Sequence, residues 1–168
     1  MNTFFELLRV AIGLKDSIES VPSSREEWEA LYKVVGEHNL LGVTFPVIDE
    51  LHDETEIPLG VYTRWAMVSQ KIEKKNENHR ILCRELYNRF AADGLRSCIF
   101  KGQAAALRYP RPELRQSGDI DIWIEGETKA TVEYLKARYN VKKVFYHHCD
   151  TEIFEKKKGV EVHLPLRG

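Results

Sequence analysis

Along residues 1–94 the apolar positions recur every three or four residues, and after Gly94 they begin to alternate. The opening stretch MNTFFELLRVAIGLKD carries Glu6 and Arg9 among its apolar residues and predicts an amphipathic helix. Ser24-Arg25-Glu26-Glu27 has the pattern of a capping box. Trp28, Leu31, Tyr32 and Val35 follow it at helical spacing, and Gly36 is the expected stop. A further helix is expected over 40–51. Pro58 opens a long one, because neither Gly nor Pro occurs between Val61 and Asp93. Trp65, Val68, Ile72, Leu82, Leu86 and Phe90 would share one face of it. Its middle, KIEKKNENHR, reads as solvated, and Gly94 as its end.

Beyond Gly94 the pattern predicts short strands over 97–100, 119–124, 141–146, 152–155 and 160–164. Helices are expected to begin at Gly102 and to span 128–139. Between them YPRPELRQSG, residues 109–118, has the prolines and closing glycine of a loop. The expected fold is α+β (α/β): a mixed sheet with flanking helices, preceded by a helical region. The division falls at Gly94, into a helical region 1–94 and a core 95–168.

A chain of 168 residues suits one domain, or one domain with a helical extension. Its formal net charge of -1 gives no argument for bulk binding to nucleic acid or membrane. Cys83, Cys98 and Cys149 are odd in number and widely spaced, which predicts reduced thiols and a cytoplasmic protein. The N-terminus lacks the basic start and long apolar run of a signal peptide, and no segment is apolar enough to span a bilayer.

The chemistry begins at GDIDIWI, residues 118–124. Strand alternation places Asp119, Asp121 and Trp123 on one face and three isoleucines on the other. Two carboxylates ~7 Å apart along a strand repel one another, increasingly so with burial. A divalent cation turns that repulsion into coordination, and Mg²⁺ favours one or two carboxylates together with phosphate oxygens and water. A bare D-x-D is more often a solvated strand face. Here Gly118 precedes it, and Phe100-Lys101-Gly102 offers a strand-to-helix turn where backbone N–H groups and an ammonium could meet a phosphate. In the last predicted strand Glu161 and His163 share a face, so Glu161 could complete a three-acid site or take a proton from an attacking hydroxyl. His163 could equally serve as a hydrogen-bonding or packing residue.

Other residues favour plainer readings. His147-His148-Cys149-Asp150 invites zinc, but adjacent strand residues point to opposite faces, so a strand end or turn is expected. Lys156-Lys157-Lys158-Gly159 reads as a solvated hairpin turn. Tyr109 and Arg111 shape their loop or touch a base or acceptor. No P-loop, GxGxxG, GxSxG or HExxH occurs.

Together Lys101-Gly102, Arg115-Gln116-Ser117-Gly118-Asp119-Ile120-Asp121 and Glu161-Val162-His163 resemble a bacterial family of uncharacterised nucleotidyltransferases. That family lies within the superfamily that includes DNA polymerase beta. Trp28-Glu29-Ala30-Leu31 and Glu37-His38-Asn39 fit the same family's helical leader. The resemblance covers about residues 20–165 and is strongest from Ile99 to Ile124. It implies a transferase that moves a nucleoside monophosphate from a nucleoside triphosphate, ATP among the candidates, to a hydroxyl of a small molecule, protein or RNA. Asp119, Asp121 and Glu161 would be the catalytic and metal-binding residues, with Mg²⁺ (or Mn²⁺) as cofactor. Lys101, Gly102, Gln103, Arg115 and Gly118 would bind phosphate, with His163 and His148 at the site's edge. Gln103 stands where better-known members carry Gly or Ser, and the third acid is Glu in place of Asp. Larger members continue into a further helical domain, so either the core is cut short at Gly168 or the N-terminal helices take that domain's place. Two alternatives stay open: a non-catalytic module of the same fold, regulatory or paired with a partner protein, or the toxin of a toxin–antitoxin pair.

Overall fold

A computed structural model describes residues 2–154 and 159–164. Among them are six α-helices and a five-stranded mixed sheet, an α+β fold with the helices leading. No helix among the described residues is long and apolar enough to cross a membrane. The chain forms two compact units, Met1–Glu77 with Ala106–Gln116, and Asn78–Ala105 with Ser117–Gly168.

The first unit holds α1 (Asn2–Ala11), α2 (Arg25–Glu37), α3 (Leu41–Glu54) and the beginning of α4 (Leu59–Ala92). Ser24 caps α2, its Oγ accepting the Glu27 N–H at 3.2 Å. The Glu27 carboxylate turns back to accept the Ser23 N–H at 2.7 Å, and this bond first of all holds its pKa below the usual range. Gly36 does not stop the helix. The chain reverses at Asn39, whose φ of 58° lies in the left-handed region that asparagine tolerates better than most residues. Leu7, Trp28, Val35, Ile48, Val61 and Trp65 form the centre of this unit's core.

Several polar groups inside this unit are matched individually. The Trp65 indole donates to the Leu41 carbonyl at 2.9 Å. Glu6, on α1, accepts the Glu19 and Ser20 N–H groups at 3.0 Å each and faces Lys15. The middle of α4 is less solvated than its sequence suggests, because Asn76 and His79 are buried. Asn76 donates both amide hydrogens, to the Glu113 and Arg115 carbonyls at 2.7 Å each, and so ties down the returning segment 106–116. A Cβ at Gly42 would fall 2.1 Å from the Leu114 carbonyl oxygen, so that segment passes α3 only where a glycine stands.

The second unit holds the rest of α4, the sheet, α5 (Gly102–Ala106) and α6 (Thr128–Arg138). Gly94, with φ 74°, ends the α4 pattern as expected, and the Leu95 N–H closes onto the Phe90 carbonyl at 2.8 Å. The strands are β1 (Ser97–Phe100), β2 (Ile120–Ile124), β3 (Asn140–Val144), β4 (His148–Glu152) and β5 (Val160–His163). Their order is β1-β2-β5-β4-β3, with β2 and β5 parallel and the other pairs antiparallel. One face is core: Ile120, Ile122, Ile124, Val160, Val162 and Cys149 pack with Leu86 and Phe90 of α4 and Leu135 of α6.

The strand expected at 152–155 lies earlier, over His148–Glu152, and it absorbs the segment read as a strand end or turn. Its buried positions are Cys149 and Thr151, too weakly apolar to make the alternation visible in sequence. Asp119 stands just ahead of β2. The turn expected at Lys156-Lys157-Lys158 lies outside the described residues.

Candidate active site

The second face of the sheet is polar. Because β2 and β5 run parallel in register, Asp121 stands beside Glu161, and Glu161 in turn beside Asp150 of β4. One step along, Trp123, His163 and His148 form the next row. Neighbouring strands are only about 4.8 Å apart, so three carboxylates lie in one row with nothing covalent between them.

Cationic and imidazole groups border this row. Lys101 Nζ donates to Asp121 Oδ1 at 3.0 Å and lies 3.3 Å from His163 Nε2. The same imidazole nitrogen is 2.8 Å from Asp121 Oδ1 and 3.5 Å from Glu161 Oε2. Phe100, opposite Asp121 on β1, packs edge-on to the His163 ring at 4.6 Å. His148 stacks on Phe145 and reaches Asp150 at 3.3 Å. Among the described residues, two groups have ligand atoms all within 4.8 Å of one another: Asp121–Glu161–His163 and His148–Asp150–Glu161. Cys149 points to the opposite face, where burial raises its thiol pKa, and burial pushes the Cys83 thiol to about 11. Both are neutral core residues.

The other residues singled out in the sequence take varied places. Asp119 is exposed and belongs to neither close group. Its carboxylate lies along Gly159 at the start of β5, where a Cβ would come within 3.3 Å of it. Gly118 is exposed, with open space around it. Lys101 adopts a φ of 51° to make the turn into α5, a helix of five residues. So short a helix aligns few peptide dipoles, and the charge at this turn comes chiefly from the Lys101 ammonium. Gln103 points inward, its amide donating to Ser117 Oγ at 3.0 Å. Arg115 belongs to the first unit, with its guanidinium over the Tyr109 ring. Arg111 pairs with Glu113 in the same unit.

Two contributors escaped the sequence reading. Buried His79 places Nδ1 3.3 Å from Ser117 Oγ, so α4, the Lys101 turn and the segment leading to Asp119 meet at one hydroxyl. Gly159 makes room for the Asp119 carboxylate. The first was masked by the charged residues around His79. The second reads in sequence only as the end of a lysine run.

A family profile described as an uncharacterised nucleotidyltransferase matches residues 24–167. No curated protein and no solved structure matches the chain.

Proposed function

Because the chain belongs to this family of uncharacterised nucleotidyltransferases, we propose that it transfers a nucleoside monophosphate from a nucleoside triphosphate to a hydroxyl acceptor on the polar face of the sheet. The observation that carries the proposal is the pairing of Asp121 with Glu161 on parallel neighbouring strands, bordered by Lys101 and His163. A scaffold gains nothing from carboxylates set side by side. A divalent cation fits the donors present, since oxygen and imidazole ligand atoms of Asp121, Glu161 and His163 lie within 4.8 Å of one another.

Asp121 and Glu161 would hold the ion, with Asp119 beside Gly159 as the third acid. When bound, the ion neutralises the triphosphate and the charge that develops as the phosphorus–oxygen bond breaks. The chain's own residues do the rest by positioning. Lys101, paired with Asp121, has an ammonium on a flexible stem that can turn to a phosphate oxygen. Gln103 and His79 fix the Lys101 turn to Ser117, two residues ahead of Asp119. Glu161, half-buried, is within reach of a hydroxyl proton beside Asp121. Attack by that hydroxyl on the α-phosphorus would release pyrophosphate.

Calorimetric titration of the four nucleoside triphosphates, each with Mg²⁺ or Mn²⁺, tests this reading. The wild-type chain is expected to bind at least one of them only when the metal is present. The Asp119→Asn/Asp121→Asn double variant is expected to bind none. A wild-type chain that binds no triphosphate would leave the fold as a non-catalytic module.

A further inference from the structure

The position of His163 is not accounted for by the acids alone. Its Nε2 meets two neighbours with opposite demands. The Asp121 carboxylate at 2.8 Å asks for a proton, while the Lys101 ammonium at 3.3 Å, which has no lone pair, asks for one. The same ammonium donates to Asp121 Oδ1 at 3.0 Å. An oxygen and a nitrogen thus both lie within 3.3 Å of one ammonium, the arrangement that two lone-pair donors take around a cation.

The spacings agree. In octahedral coordination with bonds of about 2.1 Å, adjacent ligand atoms stand about 3 Å apart. His163 Nε2 is 2.8 Å from Asp121 Oδ1 and 3.5 Å from Glu161 Oε2. The ring is held on a strand inside the sheet, edge-on to Phe100, and its side chain is only 12% exposed. It is placed by the fold and does not swing in from a loop.

We infer that His163 is a direct ligand of the divalent cation, and that its imidazole makes the site favour Mn²⁺ and its transition-metal neighbours over Mg²⁺. The chemistry follows from the donor. Mg²⁺ takes oxygen and surrenders water reluctantly, whereas imidazole nitrogen suits the transition ions. This inference rests on the metal-dependent reading above and names the metal class that reading leaves open. A His163 that only hydrogen-bonds Asp121 would orient the carboxylate without altering the choice of ion.

Electron paramagnetic resonance of Mn²⁺ bound to the full chain separates the two roles, because echo modulation reports a directly bonded imidazole nitrogen. The wild type is expected to show that modulation, and His163→Gln to lose it while still binding the ion. In competition titrations, the Mn²⁺-over-Mg²⁺ preference is expected to shrink about tenfold in His163→Gln. Bound Mn²⁺ without nitrogen modulation in the wild type would overturn the inference and leave the metal-dependent reading standing. Modulation that persists in His163→Gln would overturn it in favour of His148. A wild-type chain that binds neither ion would fail the underlying reading itself. The wild-type spectrum decides even if the variant does not fold.

Discussion

Carboxylates are withdrawn from water in two regions of this molecule, and the two are built on opposite terms. In the helical unit Glu6 is matched by two backbone N–H groups and faces a lysine. On the sheet, Asp121, Glu161 and Asp150 stand in one row whose partners are an ammonium on a long stem and two imidazoles. A matched carboxylate holds structure together. A crowded one repels its neighbours, and the fold tolerates that because the opposite face of the same strands is packed with isoleucine and valine.

Breaking the crowded row should have the larger effect on binding and the smaller one on folding. Asp121→Asn is expected to lower divalent-ion affinity by more than about 100-fold. Its melting temperature without metal should hold or rise, since one of three like charges is gone. Thermal unfolding with and without Mn²⁺ checks both halves, and a variant that keeps its metal-induced rise would undo the comparison.

Breaking the matched region should do the reverse. Asn76→Ala removes two hydrogen bonds to carbonyls of the returning segment, and its expected cost is about 2 kcal/mol, read by urea unfolding. Metal affinity should be unchanged. A loss too small to measure would mean that water replaces the amide without penalty.

The smallest effect concerns acid. The Ser20 N–H, first among several causes, holds the Glu6 pKa below its ordinary 4.5. The stability it gives is therefore present above the unfolded carboxyl value and is lost as pH falls through the lower folded one. Glu6→Gln should flatten the acid limb of the stability profile within that window. Equal acid limbs in variant and wild type would show that Glu6 is no better satisfied than a surface acid.

Much of this was legible in the sequence, for reasons that mark where legibility stops. The long helix α4, its end at Gly94 and strand β2 follow from period and punctuation, which are local properties. The juxtaposition of Asp121 with Glu161 was legible as shared chemistry, but their register belongs to strand pairing between segments forty residues apart. Strand β4 stayed hidden because Cys149 and Thr151 supply its buried side. The burial of Asn76 and His79 inside KIEKKNENHR was hidden for another reason. Helical polarity shows that a face is polar, whereas only the fold shows that segment 106–116 and Ser117 supply its partners.

The backbone at Lys101 carries one more consequence. A residue with a Cβ held at positive φ costs about 1 kcal/mol relative to glycine. Glycine at this position would relax the turn and leave Asp121 without its ammonium. A redesign guided by folding free energy alone would thus select the quieter backbone and strip the carboxylate row of its nearest ammonium.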